Sequence, residues 1–93
     1  MEMRVEDVPD RSRYELTLDG ERAGLVTYRL APGVITFLHA EIDDAYEGHG
    51  LGTRLATAVL DDARARGLSV RPKCPFIKEF IKEHAEYADL VAA

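Results

Sequence analysis

The hydrophobic period of this chain changes once, and a run of glycines marks the change. Up to Ile42, apolar residues fall mostly at alternate positions; from Leu51 they recur every three or four. Between the two stands Glu47-Gly48-His49-Gly50-Leu51-Gly52-Thr53-Arg54, with glycine at three alternate positions. A period of two belongs to a half-buried strand, and a period near 3.6 to an amphipathic helix. A chain that passes from one to the other through such a run is an α/β or α+β chain in which a strand leads into a helix N-terminus.

Around that junction the elements can be placed. Tyr14, Leu16 and Leu18 alternate with Glu15 and Thr17, which predicts a first strand, and Asp19-Gly20 predicts a tight hairpin turn. Gly24 to Leu30 is a second strand, with Val26, Tyr28 and Leu30 on one face. Pro32-Gly33 is a turn in which proline fixes φ and glycine accepts a positive one. Val34 to Ile42 is a third strand without a breaker. Both of its faces are apolar for much of their length, which predicts a central strand covered on both sides. The first dozen residues, with Pro9 and Asp10, read as a loose lead-in. After the glycines, Leu51, Leu55, Ala58, Val59 and Ala63 form one helical stripe, and Gly67 is a C′ residue that ends it. Leu68 to Arg71 returns as a short strand, which implies a right-handed crossover and parallel pairing. Cys74-Pro75 opens a second helix with proline in its first turn, and Phe76, Ile77, Phe80 and Ile81 supply its buried positions. The helix fades around His84 to Tyr87, and Leu90-Val91 pack as a tail. The expected order is β-β-β-α-β-α: a mixed sheet with an antiparallel β-meander and a βαβ crossover.

Composition narrows the function. The 93 residues make one domain, with a core expected over about residues 14–91. A single cysteine, Cys74, rules out a disulfide framework, and it and the three histidines lack metal-site spacing, so no metal is expected. No apolar run is long enough to span a bilayer, and Met1 to Asp7 do not read as a signal peptide; a cytoplasmic protein without membrane contact, and a monomer, is expected. The net charge of −5 argues against nucleic acid. Residues 1–46 carry 5 basic and 10 acidic side chains, whereas residues 64–82 carry six basic ones against Glu79 alone. A positive zone on an acidic chain suits a small anion; a solvated face accounts for it as well.

The glycine run suits an anion too. The first turn of a helix leaves N–H groups unpaired and carries about half a positive charge, and glycines let the backbone approach a phosphate. A P-loop would need a lysine that is absent here, and a dinucleotide fingerprint would need glycine where Thr53 stands. The stretch resembles the pyrophosphate loop of the GNAT superfamily of N-acetyltransferases, Arg/Gln-x-x-Gly-x-Gly/Ala, with Glu47 where Arg or Gln is usual. It is most similar to a short branch with a Gly-rich loop, a Cys-Pro-Phe segment and a His-Pro-Glu-Tyr-like ending, here Cys74-Pro75-Phe76 and His84-Ala85-Glu86-Tyr87, with Ala85 in place of the proline. The resemblance implies a GNAT-like acyl-CoA N-acyltransferase fold that binds acetyl-CoA and acetylates an amine acceptor it does not name. It also implies that the N-terminal helices that usually build an acceptor pocket are missing.

It further implies roles. The pyrophosphate would rest on the loop, on N–H groups of Gly48, Gly50, Gly52 and Thr53, with His49 and Leu51 in the same run; Arg54 and Lys78 would supply charge. The pantetheine would run along the end of the third strand near Ile42, where that strand splays from its parallel neighbour, and Cys74, Pro75 and Phe76 would flank the thiol end. An ammonium has no lone pair, so a base is needed. Glu41 is placed for it, with Asp43 and Asp44 nearby. His39 shares its face and is either a relay or a structural hydrogen-bonding group. Cys74 starts a helix near Lys73 and Arg71, an arrangement that stabilises thiolates; it is either an acetyl carrier or a small residue packed beside the cofactor. His84 complements the dipole at the end of its helix. The rival functions are a CoA-binding module without catalysis and a protein-interaction domain that keeps only the fold.

Overall fold

The computed structural model describes residues 2–92. One sheet holds five strands in chain order: β1 (Met3–Val8), β2 (Arg13–Leu18), β3 (Glu21–Ala31), β4 (Val34–Ile42) and β5 (Ser69–Pro72). The first four pair antiparallel, and β4 pairs parallel with β5. Between those two, α1 (Leu51–Ala65) makes the crossover, and α2 (Pro75–Glu83) follows β5. The mixed sheet and both helices match the expected fold class.

The lead-in is the largest departure: it is a strand. Met3 and Val5 pack on the core while Arg4 and Glu6 stay exposed, and Val5 lies opposite Leu16. Such a short, charged strand belongs at a sheet edge, where charges discourage pairing with another chain, and it carries little apolar signal. A polar network ties it down. Tyr28 donates to Asp7 of β1 at 2.5 Å, Tyr14 donates to Asp62 of α1, and Arg66 reaches both carboxylates at 3.3 Å. Burial, then the hydrogen bond to Asp7, pushes the Tyr28 phenol up to about 12; burial and Asp62 push Tyr14 higher still.

The third expected strand, β4, has the expected bounds but not the expected faces. Tyr28 pairs with Phe37, and the next residue back on β3, Thr27, pairs with His39. Leu38 is therefore an extra residue, a β-bulge, and the alternation flips across it. Ile35 and Phe37 point inward before it, and Ala40 and Ile42 pack on the core after it, while Leu38, His39 and Glu41 are exposed. The apolar pattern on both faces reflects this flip, so β4 is covered on its inner face only.

That inner face joins both helices in one apolar cluster. α1 contributes Leu51, Leu55, Ala56, Val59, Leu60 and Ala63, and α2 contributes Ile77, Phe80 and Ile81. Burial of each large side chain is worth roughly 1.5–3 kcal/mol. Ala58, expected on the stripe, is only half-buried. Phe76, expected in the core, is 43% exposed, because it covers the start of α1 instead. Gly67 ends α1 at φ 69°, with Leu68 N–H on Ala63 and Gly67 N–H on Arg64, a Schellman arrangement that releases the chain into β5.

Candidate functional site

The site begins where the parallel pairing stops. β4 and β5 are in register from Val34 opposite Ser69 to Phe37 opposite Pro72. The N–H groups of Lys73 and Cys74 then both close on the Phe37 carbonyl, at 3.0 and 2.9 Å. Pro72 brings no N–H, Pro75 starts α2, and the chain turns away. From Leu38 to Ile42, β4 has no partner strand on its β5 side among the described residues. A splayed pair of strands thus frames a gap with backbone N–H and C=O groups along one wall, as expected near Ile42.

The gap is narrow and apolar. Ala40, Glu41 and Ile42 form one wall, with Leu55 and Phe76 facing them around about 120 Å³. Gly24 of β3 supports it from behind. A Cβ there would lie 2.7 Å from Ile42 Cδ1 and 2.9 Å from the Glu41 carbonyl, so only glycine lets the strands close at this point. A glycine inside a strand is the one sign of this that a sequence carries.

Ile42 and Phe76 also line an adjoining cavity of about 290 Å³ formed by the glycine loop. The loop is fixed at its start: Asp43 caps the 3-10 turn Asp44–Tyr46 by accepting from Ala45 N–H, and Tyr46 donates to Glu21 at 2.9 Å. Hydrogen bonding to that carboxylate raises the Tyr46 phenol above its ordinary range. Gly48 and Gly50 then take φ of 84° and 71°, which side chains disfavour. Gly50 is the N-cap and offers no side chain, and the first intrahelical bond runs from Arg54 N–H to the Gly50 carbonyl. The N–H groups of Leu51, Gly52 and Thr53 are left free by the helix itself. At Gly52 a Cβ would meet the Phe76 ring at 2.9 Å, so this glycine also seats Phe76 against the start of α1.

The other expected residues divide. His49, Thr53 and Arg54 are exposed; Thr53 and Glu47 line the loop cavity, whereas the Arg54 guanidinium lies 4.0 Å from Met3 Sδ of β1. Glu41 lines the gap, and its Oε2 lies 2.8 Å from His39 Nε2. Asp43 and Asp44 border a second opening with Glu41, of about 360 Å³. Cys74 is the N-cap of α2 and 2% exposed within the core cluster, and its thiol makes no hydrogen bond to imidazole or carboxylate among the described residues. Lys78 is not brought to the loop. Two residues, or about 200° of helix, separate it from Phe76, and it lines a different cavity with Arg71 and Lys73. His84 Nδ1–H donates to the Phe80 carbonyl at 2.9 Å, and the imidazole stacks on the Phe80 ring, closing the end of α2.

A sheet splayed at its parallel pair thus meets an uncapped helix N-terminus at the mouth of the gap. The sequence profile of the GCN5-related N-acetyl-transferase family matches residues 13–90, and the chain belongs to that family. Among curated relatives it is 31% identical over 84 residues to Protein NATD1 of Mus musculus, covering 88% of this chain and 76% of that one; for Protein NATD1 of Bos taurus the identity is 32%, with 88% and 74% covered. Among solved structures, a GCN5-like protein of Staphylococcus aureus shares the fold with a TM-score of 0.72 at 22% identity, over 97% of this chain and 88% of that one. The ribosomal-protein-alanine N-acetyltransferase of Brucella melitensis shares it with a TM-score of 0.60 at 20% identity, over 94% and 66%.

Proposed function

We propose that this protein binds acetyl-CoA and transfers its acetyl group to an amine. The observation that carries this reading is the junction of the uncapped α1 N-terminus, at Gly50 to Thr53, with the gap beside Ala40 to Ile42. The two share Ile42 and Phe76, so one extended ligand can lie in both. When bound, acetyl-CoA supplies an acetyl thioester open to attack by an amine lone pair.

The residues of the chain do the rest. Free N–H groups of the first turn of α1 bind phosphate oxygens, aided by the helix dipole and by Arg54, which is exposed and one turn inside the helix. Glu47 sets a negative charge in the same cavity, so the backbone carries most of the binding. The unpaired edge of β4 offers amide partners to the pantetheine, as an open strand does to any extended amide chain. Phe76 excludes water from the other wall. Glu41, at the gap and exposed, takes one proton from the acceptor ammonium and releases it to water. Cys74 packs beneath this wall; its burial supports the packing role over that of an acetyl carrier.

The test is calorimetry with acetyl-CoA followed by acetyl transfer to a panel of primary amines, with intact-mass measurement for acetyl on Cys74. Binding and transfer without acetyl-Cys74 is the expected result. Binding without transfer to any amine would leave a CoA-binding module, and no binding at all would leave a fold kept for protein interaction. A cytoplasmic location and a monomeric state belong to the same proposal, tested by fractionation and by light scattering.

A further inference from the structure

The outward face of β4 holds a pair that acetyl-CoA binding does not require. His39 Nε2 and Glu41 Oε2 are 2.8 Å apart, on residues two apart in one strand. The Leu38 bulge decides where this pair points. Without the extra residue His39 and Glu41 would continue the inward face of Ile35 and Phe37, and two polar groups would enter the core. With it they face solvent at the edge of the gap, with side chains 62% and 60% exposed. Bulges beside active sites commonly re-aim side chains in this way.

An exposed glutamate explores many rotamers, and a base that must meet one proton loses rate for each of them. The neighbours of Glu41 do little to prevent this. Leu25 lies opposite it on β3, Arg13 and Glu15 of β2 are paired with each other at 2.6 Å, and Asp43 is engaged with Ala45. The imidazole is the group that holds it. A proton on Nε2 donated to Oε2 leaves Oε1 as the free oxygen, and Glu41 borders an opening that it shares with Asp43 and Asp44.

We infer that His39 is a positioning residue: its Nε2–H holds the Glu41 carboxylate so that Oε1 is presented to the acceptor amine. This rests on the proposed role of Glu41 as the base. The imidazole touches neither acceptor nor thioester and acts through Glu41 alone.

The first measurement needs no ligand. Side-chain NMR of the full chain reads the Glu41 χ1 rotamer by scalar couplings and its methylene order by relaxation. One dominant rotamer is expected in the native protein, rotamer averaging in His39→Ala, and recovery in His39→Gln, whose amide N–H can still donate. Averaging already present in the native protein, or a rotamer unchanged in His39→Ala, would overturn the inference. The second measurement is thiol release from acetyl-CoA with n-butylamine as the probe acceptor. His39→Ala should lower kcat roughly tenfold, the loss of about one hydrogen bond to a charged group, with the KM for acetyl-CoA unchanged. His39→Gln should restore most of it. In a Glu41→Gln background, His39→Ala should change nothing further, since the group it positions is gone. A further loss in that background would mean that His39 acts on its own, and would overturn the inference. If Glu41→Gln retains full rate, or the native protein binds acetyl-CoA without turnover, the role of Glu41 as base falls, while the NMR result still reports on the pair.

Discussion

Replacing Thr53 by Glu should stabilise the free protein and weaken its hold on CoA, two effects of opposite sign from one charge. Thr53 is exposed at the third position of α1, whose first turn holds no acidic residue and whose N-cap, Gly50, supplies no capping side chain. A carboxylate there meets the positive end of the helix dipole, worth about 0.3–1 kcal/mol, or about 1–8 °C in melting temperature for a domain of this size. The same carboxylate occupies the field that a phosphate needs. Two unit charges roughly 6 Å apart at an effective dielectric of about 20 repel by about 3 kcal/mol, which is roughly 100-fold in Kd. At a CoA concentration of about 100 times the native Kd, ligand stabilisation should fall from about 2.7 to about 0.4 kcal/mol. Thermal unfolding with and without CoA reads both numbers in one experiment. A native-sized CoA shift in Thr53→Glu would refute the placement of the phosphates at this turn. A lower melting temperature without ligand would refute the claim that the turn is uncapped.

Glu41→Gln should reduce acetyl transfer by about 10²–10⁴-fold, the range for a positioned base, whereas Cys74→Ala should keep most of the rate and lose about 1 kcal/mol of stability as a buried side chain shrinks; steady-state rates and urea unfolding decide, and the reverse pattern would make Cys74 the acetyl carrier. Lys78→Gln should leave CoA affinity within about twofold by calorimetry, since Lys78 lies with Arg71 and Lys73 and away from the loop; a tenfold loss or more would show that the cofactor reaches that cavity. Stability should fall at alkaline pH. The Tyr28 phenol, ordinarily at 10.0, is pushed up to about 12 and Tyr14 is raised further, so the unfolded chain ionises first. Their contribution is full below pH 10 and is lost as pH climbs toward about 12. Unfolding midpoints at pH 9 and 11.5 measure the decline, and Tyr28→Phe should make it shallower.

Local chemistry is what the sequence could determine alone. Asp19-Gly20, Pro32-Gly33 and Gly67 mark turns because backbone sterics are settled within a few residues. The bounds of β4, the start of α1 after Gly50 and the start of α2 at Pro75 follow from the same local rules. The glycine run announced an uncapped helix start, and the resemblance it carried led to the right family. Partners distant in the chain were another matter. β1 is a strand because Val5 meets Leu16 and Asp7 meets Tyr28, and nothing in six charged and apolar residues at a sheet edge requires that by itself. The Leu38 bulge exists only in the register between β3 and β4, and that register decides that Ala40 and Ile42 face the core while His39 and Glu41 face outward. Cys74 read either as a reactive thiol or as a small packed residue at a helix start, and only the packing shows it buried. Lys78 read as a candidate for phosphate charge, and the azimuth of α2, set by burying Ile77 and Ile81, places it in a cavity with Arg71 and Lys73. Which face a side chain takes depends on what its element packs against, and that is fixed only when distant segments meet.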